Sequence, residues 1–134
     1  MTIIARRLAV LLALGLSLSV AAQEAQLSGI SQPGGMQVSL RSQLVPLTIN
    51  QMHGWVITVL DPDGNPVTDA EIEVEGGMPL HNHGLPTRPQ VTRNLGDGDY
   101  LLEGVRFNMP GQWEFRLVIA AGEVRDTIRF ELDV

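Results

Sequence analysis

From Gln37 onward the apolar side chains recur at every second position, and this period restricts the chain to β-strands. Ala70 to Glu75 alternates cleanly, with Glu71, Glu73 and Glu75 on one face. Trp113, Phe115, Leu117 and Ile119 alternate with polar neighbours near the start of their run, and Ile128, Phe130 and Leu132 repeat the pattern. His53 to Leu60 is apolar on both faces, as a central strand would be. Gln90 to Leu95 and Asp99 to Val105 are weaker candidates, and Gln37 to Leu40 and Leu47 to Gln51 are expected to pair at an edge broken by Pro46. Reversals are explicit at Asp61-Pro62-Asp63-Gly64-Asn65-Pro66, at Gly96-Asp97-Gly98 and at Ala120-Ala121-Gly122. Roughly seven strands at this turn spacing predict an all-β fold, an immunoglobulin-like antiparallel β-sandwich.

The first residues carry a different signal. Arg6 and Arg7 precede an apolar run from Leu8 to Val20, and Val20-Ala21-Ala22 offers the small residues of a cleavage site. Residues 1–22 are therefore expected to be a signal peptide, cut before Gln23. The run is short for a permanent anchor, which wants roughly 20 apolar residues, although an uncleaved anchor is the alternative. No Cys follows it, so a lipoprotein is not expected, and a bacterial periplasm is the expected destination. Residues 23–36, rich in Gln, Ser and Gly, read as a flexible leader, with one domain from 37 to 134.

Beyond the signal the chain holds seven Arg, no Lys and fifteen acidic residues, a formal charge of −8. That balance disfavours nucleic acid and anionic membranes as partners and suits cations. With no Cys at all, thiolate metal sites and cysteine nucleophiles are excluded, and the fold must stand on its core.

If consecutive strands alternate in direction, one end of the sandwich is chemically loaded. Taking the 61–66 turn as the bottom, the start of the 53–60 strand and the loops 77–89 and 106–111 all fall at the top. That end then holds His53, His81 and His83, together with Met52, Met78 and Met109, whereas Met36 lies elsewhere. Methionine is usually a gap-filler distributed through a core, so its concentration in Pro- and Gly-rich loops is informative. Met78, His81, His83 and Met109 form a candidate metal site, with Met52 and His53 as further candidate ligands. Thioethers suit Cu(I) and serve Zn²⁺, Mg²⁺ or Ca²⁺ poorly, and imidazole suits copper, so the expected ligand is copper, mainly Cu(I). The competing reading is structural: paired loop histidines are often only solvated, and Met109 before Pro110-Gly111 would plug the end of the core.

An enzyme is not expected. No Gly-x-Ser-x-Gly elbow or phosphate-binding glycine loop is present, and every Ser beyond the signal lies before residue 43. A three-histidine zinc site is arithmetically available, but the methionines beside it argue against zinc.

The elements Met52-His53-x-Trp55, Asp61-x-Asp63-Gly64-x-Pro66-Val67, Gly77-Met78-Pro79-x-His81-x-His83-Gly84-Leu85-Pro86-Thr87, Leu95-Gly96-Asp97-Gly98-x-Tyr100, Arg106-Phe107-x-Met109-Pro110-Gly111-x-Trp113 and Arg125-Asp126 resemble the YtkA-like/FixH-like family of small exported domains, some of which are labelled auxin-binding proteins. The resemblance implies an immunoglobulin-like sandwich, export, and an association with copper handling and oxidase assembly. Where relatives often carry His just before the second-loop methionine, this chain has Asn108. The expected function is thus a periplasmic copper-binding protein, a Cu(I) carrier or chaperone that meets copper-handling or oxidase-assembly proteins. The alternative is a metal-free exported interaction module.

Overall fold

The computed structural model describes residues 26–134. The expected signal peptide therefore lies outside the described residues, as does the proposed cut before Gln23. Two antiparallel sheets face each other as a β-sandwich. The strands are β1 (Gln26–Ile30), β2 (Gln37–Ser42), β3 (His53–Leu60), β4 (Glu71–Met78), β5 (His83–Gly84), β6 (Gln90–Gly96), β7 (Asp99–Val105), β8 (Gln112–Ala121) and β9 (Val124–Asp133). One sheet runs β1-β2-β3-β7-β6 and the other β5-β4-β8-β9.

The period-two segments become strands because alternate side chains enter one shared core. In β8, Trp113, Phe115, Leu117 and Ile119 are all fully buried, and β9 contributes Ile128, Phe130 and Leu132. From the facing sheet come Val38, Leu40, Trp55, Ile57, Val59, Tyr100 and Leu102. β3 is central, hydrogen-bonded to β2 on one side and β7 on the other. Tyr100 also fixes the crossover between sheets: its hydroxyl donates to the Val67 carbonyl at 2.6 Å and accepts from the Ala70 amide at 2.9 Å. The β6–β7 hairpin turns through Asp97 and Gly98, both at positive φ, 52° and 82°. A Cβ at residue 98 would lie 2.6 Å from the Val59 carbonyl oxygen, so the position requires glycine.

Two expectations fail. The segment read as a flexible leader forms β1, which pairs with β2 from Gln26↔Arg41 to Ile30↔Gln37. It is further tied down by Asp126, which is fully buried and accepts hydrogen bonds from Ser31 Oγ at 2.5 Å and the Gly34 amide at 2.7 Å. Met36, at the end of this segment, belongs to the core. Residues 47–51, expected to pair with 37–40, form no strand, because β1 and β3 already occupy both edges of β2. Asn50 adopts φ 61°, which an extended strand does not allow, and its amide donates to the Phe107 carbonyl at 2.6 Å.

Candidate metal centre

Strand direction brings the predicted residues to one end. His53 pairs with Val105 at the end of β7, and Gly77 pairs with Glu114 near the start of β8. The loop between β7 and β8 and the turn between β4 and β5 therefore share the end at which β3 begins. Met36 lies at the other end, beside the Gln37↔Leu60 pair.

The β4–β5 turn is a compact hairpin tip. Pro79–His81 forms a single 3-10 turn, Asn82 takes the left-handed conformation at φ 52°, and its amide donates to the Pro79 carbonyl. Asparagine tolerates that conformation better than most side chains. The reversal through Asn82 places His81 and His83 with ring centroids 6.0 Å apart and planes inclined by 33°. Both rings are exposed. His83 Nδ1 lies 3.1 Å from the Gly84 carbonyl. A carbonyl can only accept, so Nδ1 is the donor in this contact, and in the neutral ring Nε2 is then the nitrogen left to ligate a metal.

The hairpin can form because Gly76 and Gly77 precede it. A Cβ at residue 76 would fall 2.5 Å from Leu85 Cδ1, and one at residue 77 would fall 2.6 Å from the His83 carbonyl oxygen. This glycine pair extends β4 through Met78 instead of opening a loop.

The methionines separate. Met78 is not a loop ligand: it ends β4, is 1% exposed and belongs to the core. Its Cε methyl packs against Gly111, where a Cβ would meet it at 2.8 Å. Met109 is half-buried against the same core. Met52 is exposed, beside His53 at the start of β3.

His53 is set apart from the other two imidazoles. Its ring packs on Phe107 at 5.6 Å, Phe107 on Trp113 at 5.1 Å, and Trp113 on His83 at 6.0 Å. His53 is thus linked to His83 through a run of ring contacts and forms no shared metal-holding group with it. Burial lowers the His53 pKa below its usual value, opposed by the bond from Nδ1 to the Gln51 carbonyl. Among the described residues no group of three or more His, Cys, Asp or Glu side chains converges to hold a metal ion.

Trp113 is the residue whose role at this end was hidden in the sequence. It reads there as one more core position. In the fold its ring supports His83, and its Nε1 donates to the Met109 carbonyl at 3.1 Å. One indole therefore braces both loops that carry candidate ligands. The spacing Met109 to Trp113 is the only trace of this in the sequence.

The family model for YtkA-like proteins matches residues 31–118. The chain belongs to the YtkA-like family. The match runs from Ser31, in the turn held by Asp126, through the His81–His83 hairpin and into β8, so it contains all the candidate ligands of this YtkA-like domain. No curated protein and no solved structure matches the chain.

Proposed function

We propose that this YtkA-like protein is an exported copper-binding protein, a periplasmic carrier or chaperone that holds Cu(I) at the tip of the β4–β5 hairpin. The observation that carries the reading is the His81–His83 pair. Two exposed imidazoles stand with ring centroids 6.0 Å apart, and the Nδ1 contact of His83 leaves Nε2 of the neutral ring available to a metal. A metal about 2.0–2.1 Å from each ligating nitrogen puts the two ring centroids about 6.4 Å apart in a linear arrangement and about 5 Å apart at a tetrahedral angle. The observed spacing lies within that range, so the pair can share one ion. Met109 is the thioether within the neighbouring loop, and Met78 supports the pair from the core side rather than from solvent. When bound, copper supplies the transferable cargo. The protein's own residues supply neutral donors on an open tip, from which an acceptor can take the ion.

The exposure of Leu80, at 80%, beside His81 favours a second reading, a metal-free module that docks a partner through the same tip. Anaerobic titration with Cu(I) against a competing chelator separates the two. Stoichiometric binding that disappears in the His81→Ala/His83→Ala double variant supports the copper reading. Equal affinity in parent and double variant overturns it.

A further inference from the structure

We infer that a divalent cation joins two copies of this chain through their His81 and His83 side chains. The inference rests on the histidine pair proposed above to take Cu(I) and extends it to a different ion and a different assembly. Zn²⁺ seeks four nitrogen, oxygen or sulfur donors in a tetrahedron, and thioether adds little to it. One chain offers two imidazoles at the hairpin tip, and among the described residues no third His, Asp or Glu converges with them. His53 does not complete the set, because it packs on Phe107 and does not converge with the other two imidazoles. Met78 cannot either, because it is 1% exposed within the core. The coordination deficit is two donors, and a second copy presents the same two.

The tip is shaped for that encounter. His81 lies in the four-residue turn between β4 and β5 and His83 opens β5, and both are exposed, so a second copy's tip can reach them. Leu80, the most exposed of the large apolar side chains among the described residues at 80%, precedes His81 and would be covered when two tips meet. Beside it lies a small cleft of about 120 Å³ formed with Pro79, Gln112, Trp113, Glu114 and Glu131, whose two carboxylates add to the repulsion that a shared dication would have to offset. A two-fold axis through the ion makes the contact self-complementary, and the pair closes with no further copies added. The formal charge of −8 beyond the signal opposes the pairing of bare chains, whereas a shared dication offsets part of that repulsion. Cu(I), content with two or three donors, leaves the chain single. The valence of the ion thus selects between one copy and two.

Light scattering coupled to size-exclusion chromatography tests this on the purified protein. With half an equivalent of Zn²⁺ per chain the mass should double, and a chelator should return it to the single-chain value. Anaerobic Cu(I) should leave the mass single. His81→Ala/His83→Ala should stay single with zinc, and Leu80→Ser should need more protein to reach the same paired fraction. All three positions are exposed, and an unchanged near-ultraviolet circular dichroism spectrum will show that the variants are folded. Zinc bound with no doubling, no zinc bound at all, or doubling that survives in the double variant would each overturn the inference. Because copper affinity is read by chelator competition rather than by mass, failure here leaves the Cu(I) reading to stand or fall on its own titration.

Discussion

Met78 and His83 stand directly opposite each other across the β4–β5 ladder, so their side chains share one face of the sheet, yet Met78 is buried and His83 is exposed. The difference arises from position: β4 continues inward to β8, whereas β5 is the sheet's edge. Met78 thereby becomes a foundation for the hairpin that carries the imidazoles. Met78→Ala should cost about 2–5 kcal/mol, the range for truncating a buried methionine. Gly111→Ala should also destabilise, since residue 111 sits at φ 132° and its new Cβ would meet the Met78 methyl. The two losses should sum to more than the double variant shows, because removing the Met78 side chain relieves the clash. Urea denaturation of the four proteins measures this coupling, and strict additivity would show that the contact is not made.

Trp113 anchors the same end from the other sheet position. It is fully buried, so Trp113→Ala should destabilise by about 3–5 kcal/mol. Trp113→Phe keeps most of the volume and removes the bond to the Met109 carbonyl, for a smaller loss of about 0.5–1.5 kcal/mol. If the bond holds the 106–111 loop, amide exchange at Asn108 and Met109 should quicken more in Trp113→Phe than exchange in β9. A thermal midpoint that moves only a degree or two in Trp113→Ala would show the ring is not buried.

Much of this arrangement was legible in the sequence, and the failures have identifiable causes. Strand direction followed from short turns such as 61–66 and 97–98, so the loops bearing His81 and Met109 were assigned to one end correctly. The sandwich itself followed from the alternation in β8 and β9. β1 was missed because Gln26-Leu27-Ser28-Gly29-Ile30 is half-exposed along its length and owes its form to the ladder with β2, a long-range pairing that local pattern does not encode. Met78 was misplaced because Gly76-Gly77 resembles a loop. In the fold the pair marks close approach of Leu85 and the His83 backbone, which leaves the strand intact. That His53 packs on Phe107 and does not converge with His81 and His83 depends on long-range packing and had no local sign.

Asp126 connects β9 to the N-terminal turn, and its loss should be felt there first. Asp126→Ala leaves Ser31 Oγ and the Gly34 amide without their shared acceptor. The expected cost is about 1.5–3 kcal/mol, typical of hydrogen bonds to a charged group. Hydrogen exchange should show protection lost in β1 and in residues 31–36 before it is lost in β8. Uniform loss across both sheets would mean that Asp126 supports the whole core instead.

His53 should give the fold a pH dependence on the acid side of neutrality. Its folded pKa lies below the usual value of 6.5, chiefly through burial. The unfolded chain therefore takes up the proton first as pH falls. Stability is constant above that value, declines as pH drops through about 6.5, and stops declining once the folded form is also protonated. His53→Gln should flatten the urea midpoint between about pH 7.5 and pH 5.5 relative to the parent. An unchanged slope would assign the dependence to other groups.

Copper binding should separate the ligands from their supports. His81→Ala/His83→Ala should remove tight Cu(I) binding with little change in stability, because both rings are exposed. Met109→Leu should weaken it while keeping the half-buried volume, since leucine packs but offers no sulfur. Met36 is the methionine control at the far end. It is 3% exposed, so Met36→Leu is the suitable change, whereas alanine there would empty a core site. Met36→Leu should bind Cu(I) as the parent does. Acid should weaken binding in the parent, because imidazole must give up its proton to ligate, and residual affinity in acid should depend on Met109, whose sulfur does not titrate. Chelator competition across this set discriminates sharply. If Met109→Leu and the parent lose Cu(I) identically with pH, no thioether takes part, and the site is the histidine pair alone.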